Sequence, residues 1–350
     1  TTIDDWWETH GTGSPFVHQG KLCVSYGLHT FRLVPNNGGR YPEGGYWAVS
    51  EDGGFTFRKT GYRYTADQNP TMANLPDGAL ALYGGHGETY VSPSGDIVDL
   101  RLADDGKLRH VSGDCPGPFE WNGWHYRFQG FGCFDASRSG KVGSFEDWVK
   151  KGDDPYEALS VPMVAPFGDN RRIVGGWINH PSGWGGYLCL RELVQFPDGR
   201  LGSKWLAEAP VRGPVTTYRM QPGEKLRLRF RPIRTNLERD LVFEVDAAGR
   251  RAQFSYTGED GRIVRQQTLQ ENVLSHPEVT YLAHLTGRPD AAAHYALGKL
   301  RRVDRPFDVR FSTWYDRKGN LPFFAAEIAG VRTMLSRQRG RYETPVVERK

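Results

Sequence analysis

Cysteine is scarce in this 350-residue chain, methionine equally so, and long apolar runs are missing altogether. The four cysteines, Cys23, Cys115, Cys133 and Cys189, include no C-x-x-C pair. Metal ligands come in such close pairs, so a zinc site is not expected. Four thiols are also too few for a disulfide framework at this length; buried free thiols are the expectation, with a single Cys115–Cys133 bridge left open. No stretch approaches the roughly 18 apolar residues that a membrane helix needs. Lys and Arg number 45 against 41 Asp and Glu, a net charge of +4 with no basic stripe. Neither nucleic acid nor a membrane is therefore an expected partner. The opening "TTIDDWWETHGTGS" carries no initiator Met and no signal peptide, and reads as a processed or truncated start.

Glycine and aromatics are what the chain has in quantity, with 43 Gly and 13% Phe, Trp and Tyr. Strand-like segments recur at 21–28, 45–50, 79–85, 124–131, 171–178 and 186–196, separated by turns such as "EDGG", "LPDG", "SPSGD" and "FPDG". Short strands punctuated by Gly/Asp turns predict an all-β sandwich, barrel or propeller. One helical piece is expected at 144–152, "SFEDWVKKG", with a Ser cap and a terminal Gly. The pattern breaks at "EAPVRGPVTTYRMQPGEK", giving a first domain at 1–210, a linker at 211–222 and a second domain at 223–350. The alternation in "KLRLRFRPI" and "LVFEVDAAGRRAQFSY" makes the second domain a β-sandwich with one wet face per sheet. Its acids, such as Asp316 and Glu327, are expected to be solvated or paired.

The order of several motifs resembles glycoside hydrolase family 32, the invertases, inulinases, levanases and their fructosyl-transferring relatives. "HGTGSPFVHQGKLCVSYGLHT" (10–30) and "YWAVSEDGGFTFRKT" (46–60) are similar to that family's second blade. "GDCPGPFEWNGWHYRFQG" (113–130) resembles the Glu-Cys-Pro block, and "RRIVGGWINHPSGWGGYLCLRELVQFPDGRL" (171–201) a later blade. "FDVRFSTWYDRKGNLPFFAAEIAGVRTMLSR" (307–337) looks like the end of the family's sandwich. The resemblance implies a five-bladed β-propeller, about four blades of it visible in this chain, followed by a C-terminal β-sandwich.

It also implies a chemistry. Retaining glycosidases use two carboxyl groups about 5–5.5 Å apart, one as nucleophile and one as acid/base. Asp114 stands where the family has its general-acid Glu, one methylene and about 1.5 Å shorter. At "DQNP" the family has Arg-Asp-Pro; Asn69 replaces the Asp and supplies no negative charge, while Asp67, two residues earlier, shares its face if the segment is extended. The first blade, with the nucleophilic Asp, has no counterpart here, and Asp4 and Asp5 sit too close to the second-blade motif to serve. The nucleophile is therefore expected from a segment not seen in this chain, such as a separate or cleaved polypeptide. Trp177, Trp184 and Trp124 are candidate sugar platforms, since indoles stack on apolar sugar faces. Trp6, Trp7 and Trp121 share their turn–strand setting. Ser14, His86 and His180 are candidate lining residues, and Arg191 and Glu192 are expected to brace their blade by ion pairing.

The leading expectation is a glycosidase or glycosyl-transferring enzyme acting on an oligo- or polysaccharide of fructan type by a retaining double displacement. That chemistry requires no metal or organic cofactor, and a polymeric substrate suits a secreted or periplasmic protein. The alternative is a catalytically degenerate propeller–sandwich that binds glycans.

Overall fold

The computed structural model describes residues 8–10, 13–30, 44–64, 69–84, 88–103, 115–129, 133–147, 159–180, 183–234, 240–257, 295–297, 300–316, 322–337 and 341–350. The chain is all-β. It divides into two compact units, 1–147 and 148–350.

The first unit holds three antiparallel sheets in chain order. The first sheet comprises Glu8–His10, Pro15–His18, Lys21–Thr30, Gly44–Val49 and Arg58–Tyr64. The second is Thr71–Asn74, Leu80–Tyr83, Thr89–Ser92 and Arg101–Leu102, each strand paired with the next. The third is a meander of the same kind, Gly117–Trp121, Trp124–Gln129, Cys133–Ser137 and Glu146–Asp147. An isolated antiparallel meander cannot bury both faces, so sheets of this length must pack on one another. Phe16, Cys23, Val49 and Tyr64 of the first sheet do so against Met72, Leu80 and Leu82 of the second, with Ile97 beside them. Cys23 is a free thiol, and burial raises its pKa.

The helix expected at 144–152 does not form where the structure is described. Glu146 and Asp147 pair instead with Ala136 and Asp135 as an edge strand, and 148–152 lie outside the described residues. A nine-residue helical pattern is marginal alone, and an unpaired strand edge offered it backbone partners. The loop that joins the last two strands of the first sheet is closed by its own side chains. Asp52 accepts from Thr56 N–H at 2.9 Å and from Thr56 Oγ1 at 2.6 Å, which holds its pKa down at about 2.

In the second unit a fourth sheet, Ser160–Phe167, Arg171–His180, Gly183–Gln195 and Leu201–Trp205, repeats the meander. A two-sheet sandwich follows. One sheet runs Val215–Met220, Phe307–Tyr315, Pro322–Ile328, Arg332–Arg337; the other runs Tyr295–Leu297, Arg251–Thr257, Asp240–Asp246, Lys225–Phe230, Val346–Arg349. Phe230, Phe243, Phe254, Phe311 and Phe324 interlock between them. Val215–Met220, within the stretch expected to be the linker, forms a strand that pairs with Phe307–Ser312, as its β-branched run suits.

The fourth sheet is fastened to the sandwich, which is why the two share a unit. Ser203 Oγ and Thr333 Oγ1 lie 2.7 Å apart, and Ser203 N–H donates to the Val331 carbonyl at 2.9 Å. Gly202 permits this approach, since a Cβ there would stand 2.3 Å from the same carbonyl oxygen. Glu327 is the ion-paired residue expected of it. One of its oxygens accepts from Trp205 N–H at 2.6 Å and the other from Arg310 at 2.9 Å.

Glu192 braces the fourth sheet, paired with Arg171 at 2.6 Å and Lys204 at 3.0 Å. Arg191, next in the strand, is buried on the opposite face. Burial alone would raise the Glu192 pKa, but the hydrogen bonds from Arg171 and Lys204 outweigh it and the net shift is downward. Glu208, hydrogen-bonded by Arg171 at 2.6 Å, is held at about 2, below its ordinary 4.5. A depressed carboxyl stabilises the fold above its unfolded pKa, and that contribution is lost as pH falls through the folded value. The expected result is a Glu208 carboxyl resonance titrating near 2 by NMR and returning toward 4.5 in Arg171→Gln.

Candidate active site

One strand in each of three sheets opens in the same way. Ser14–Pro15, Asn69–Pro70 and Cys115–Pro116 each stand at the head of the strand, and Val161–Pro162 repeats the device in the fourth sheet. Asn69, Cys115 and Val161 have φ of 46°, 50° and 49°. Left-handed backbone directly before proline is disfavoured, and for a β-branched valine it is an outlier. Such strain persists only where the surroundings over-determine it, and it concentrates at functional positions.

In the first unit these strand heads are tied together by buried polar groups. Ser25 is fully buried, and its hydroxyl donates to the Pro70 carbonyl at 2.8 Å, joining the first sheet to the second. Ser14 N–H donates to Ser25 Oγ at 3.1 Å, and Ser14 Oγ accepts from Met72 N–H at 3.2 Å. The second sheet is joined to the third by Arg127. Its guanidinium pairs with Asp135 at 2.6 Å, with the two side chains 2% and 0% exposed. The same guanidinium lies 5.0 Å from the centre of the Tyr83 ring and 4.2 Å from that of Phe145. Burial pushes the Tyr83 phenol pKa up, against the opposing pull of Arg127. Tyr83 stands opposite Thr71, and Arg127 opposite Pro118, so both lie at the heads of their sheets.

A carboxyl group that the sequence reading passed over lies at the same end. Thr71, Tyr83 and Thr89 face one another across three strands. One step further along that register stand Pro70, Gly84 and Glu88, with Gly84 N–H donating to the Glu88 carbonyl at 2.9 Å. A Cβ on Gly84 would meet the Glu88 carboxyl at 2.6 Å. Glycine therefore clears the space in which this carboxyl lies, over the middle strand and toward the one that Asn69–Pro70 opens. Glu88 Oε2 is buried with no hydrogen-bond partner among the described residues. A buried acceptor left open costs free energy unless a ligand or water meets it. The sequence signal was the run "GGHGE", where three glycines in five residues precede an acid.

Of the residues expected from sequence, Ser14 and Asn69 are brought to this end, and the Ser14 hydroxyl is engaged in joining the sheets. Asp114, Asp67 and His86, with Trp6 and Trp7, lie outside the described residues. Trp124 sits at the far end of its sheet, in the hairpin with Trp121, about 13 Å of strand from the head at Gly117. The Arg138 guanidinium covers one face of its ring at 4.3 Å. Trp177 faces Ser160, at the head of the fourth sheet, and is half-buried. Trp184 belongs to the next strand of that sheet at the same end, its side chain outside the description, as is that of His180. Among the described residues no group of three or more His, Cys, Asp or Glu could hold a metal ion.

No protein-family model matches the chain, and no curated protein matches it in sequence. Solved structures do resemble it. An exo-inulinase from Aspergillus awamori superposes with a TM-score of 0.52 at 12% identity, over 99% of this chain and 84% of that one. A fructofuranosidase from Schwanniomyces occidentalis complexed with fructosylnystose gives 0.49 at 10%, over 99% and 83%. A glycoside hydrolase family 32 protein from Bifidobacterium adolescentis gives 0.46 at 13%, over 99% and 70%. These structural neighbours belong to the family that the motif order resembles, and what the chain shares with the exo-inulinase at this identity is its all-β fold.

The geometry predicts a steep cost for breaking the tie between the second and third sheets. Arg127→Met takes the guanidinium away from the buried Asp135 carboxylate, a loss of about 3–5 kcal/mol. Adding Asp135→Leu should recover most of it, as read by urea denaturation of the single and double variants. Equal stability of the Arg127→Met single variant and the parent would show that Arg127 does not hold the sheet heads.

Proposed function

We propose that this chain is the larger part of a glycosidase or glycosyl-transferring enzyme that acts on fructans or related furanosyl glycans. The observation that carries the reading is the union of strand heads, tied by Ser25–Pro70 and Arg127–Tyr83, around an open carboxyl at Glu88. The fold likeness to an exo-inulinase supports it. In this reading the four meanders are blades of a five-bladed propeller, and the remaining blade, with the nucleophilic carboxylate, comes from polypeptide outside this sequence.

Asp114, one residue before Cys115 at the head of the third sheet, is the general acid. It protonates the leaving-group oxygen as the glycosidic bond breaks, and in the second step it takes the proton of the attacking water or sugar hydroxyl. Asn69 hydrogen-bonds sugar hydroxyls through its amide from a left-handed backbone position directly before Pro70. Because Asn69 carries no charge, the negative potential that steadies an oxocarbenium-like state comes from the Glu88 carboxyl, which lies over Gly84, about one strand spacing (roughly 4.8 Å) from Pro70.

Turnover of fructo-oligosaccharides by the chain with its complementary segment tests this directly. Asp114→Ala is expected to lower kcat by about 10²–10⁴-fold with sugar binding retained. Glu88→Gln, isosteric and still able to fill the space over Gly84, should lower kcat about 10²-fold with little change in KM. Sugar binding with no turnover, indifferent to both substitutions, would instead identify a glycan-binding module.

A further inference from the structure

Within the second unit a cavity of about 170 Å³ lies where the fourth sheet meets the sandwich, and it opens to solvent beside the exposed Leu188. Its lining includes Cys189, Arg191 and Trp205 of the fourth sheet and Trp314, Phe323 and Leu335 of the sandwich. An apolar cavity of about 150 Å³ is large enough to admit benzene. This one therefore holds a single ring with a small substituent.

The walls are fixed before any ligand arrives. Trp314 and Phe323 stack with centroids 5.2 Å apart and planes 3° from parallel, and Phe323 is itself buried. Glu327 holds the opposite wall, accepting from Trp205 N–H while it anchors Arg310, whose guanidinium lies 4.8 Å from the Trp205 ring centre. Ser312 Oγ donates to the Arg212 carbonyl at 2.8 Å and fastens the segment that borders the opening. Preorganised walls lower the ordering cost of binding.

The charge is of one sign. Arg191 and Arg212 border the cavity, whereas no Asp, Glu, Asn or Gln does. Arg212 is exposed and makes no ion pair among the described residues. A neutral sugar would find too few acceptors for its hydroxyls here, while a ring bearing an anion meets both an aromatic enclosure and a guanidinium.

We propose that this cavity binds a small ring-bearing carboxylate of about the size of benzoate, its ring against the Trp314–Phe323 stack and its carboxylate at Arg212. The site is separate from the glycan reading above and does not depend on it. Cys189, a free thiol in the lining, is a built-in reporter. Alkylation of Cys189 by iodoacetamide, mapped by peptide mass spectrometry on the full chain, is followed with benzoate, benzamide, acetate or fructose present. Benzoate should protect the thiol, benzamide should need about 10-fold more to do so, and acetate and fructose should not protect it. In Arg212→Ala, benzoate should fall to the level of benzamide while benzamide is unchanged. Equal protection by benzoate and benzamide in the parent chain, no protection by benzoate at about 10 mM, or protection by fructose would overturn the assignment. The parent-chain comparison decides even if the variant does not fold.

Discussion

A hydroxyl that cannot reach water sets much of the arrangement in the first unit. Ser25 is wholly enclosed, so its proton must find an acceptor inside the protein, and it finds the Pro70 carbonyl. That carbonyl belongs to a proline, whose ring fixes φ and whose missing N–H exempts the strand head from one pairing obligation. The first and second sheets are thereby locked at their heads, while the apolar packing of Phe16, Met72 and Leu82 holds their faces. Apolar burial is non-directional and would tolerate sliding; the hydrogen bond is not and does not. Arg127 acts in the same way between the second and third sheets, its guanidinium set over the Tyr83 ring while it is held by Asp135 of its own sheet, with a larger penalty for error because the charges of that pair are fully enclosed.

The architecture was legible in the sequence because its signals are local. Each of the six strand-like segments at 21–28, 45–50, 79–85, 124–131, 171–178 and 186–196 contains a strand. The alternation of "KLRLRF" became the inner and outer faces of a sandwich sheet, whereas in "LVFEVD" every residue but Glu244 is buried. Where local signals competed, tertiary context won. The residues of "SFEDWV" had capping chemistry for a helix, yet a free strand edge at Asp135–Ala136 drew Glu146 and Asp147 into pairing. "VTTYRM" sat among prolines and glycines and read as linker, although its β-branched run was a strand in waiting.

The candidate site was legible only in part, for a physical reason. Its residues are defined by which strand heads meet, and that is a property of sheet packing over long sequence separations. Asn69 could be singled out because it stands before a proline within a motif. Glu88 could not, since its significance rests on the absence of a side chain at Gly84 and on an oxygen that nothing nearby satisfies. Trp124 had the right chemistry and the right neighbours in sequence, but a two-residue hairpin carries it to the other end of the sheet. The left-handed residues before Pro70, Pro116 and Pro162 form a further pattern that composition does not disclose. Strain of about 1–3 kcal/mol at each such position must be offset by the packing around it. Packing that rigid is what a site needs if it is to aim groups at a ligand rather than follow one.

The central claim is that the strand heads of the first three sheets enclose a sugar. A crystal structure of the chain with a fructo-oligosaccharide bound to the Asp114→Ala variant tests it most directly. The account predicts a furanosyl ring in hydrogen-bond contact with the Asn69 amide and with Glu88 Oε2, its acceptor no longer open. A ring bound elsewhere, with Glu88 Oε2 still unmet, would contradict it.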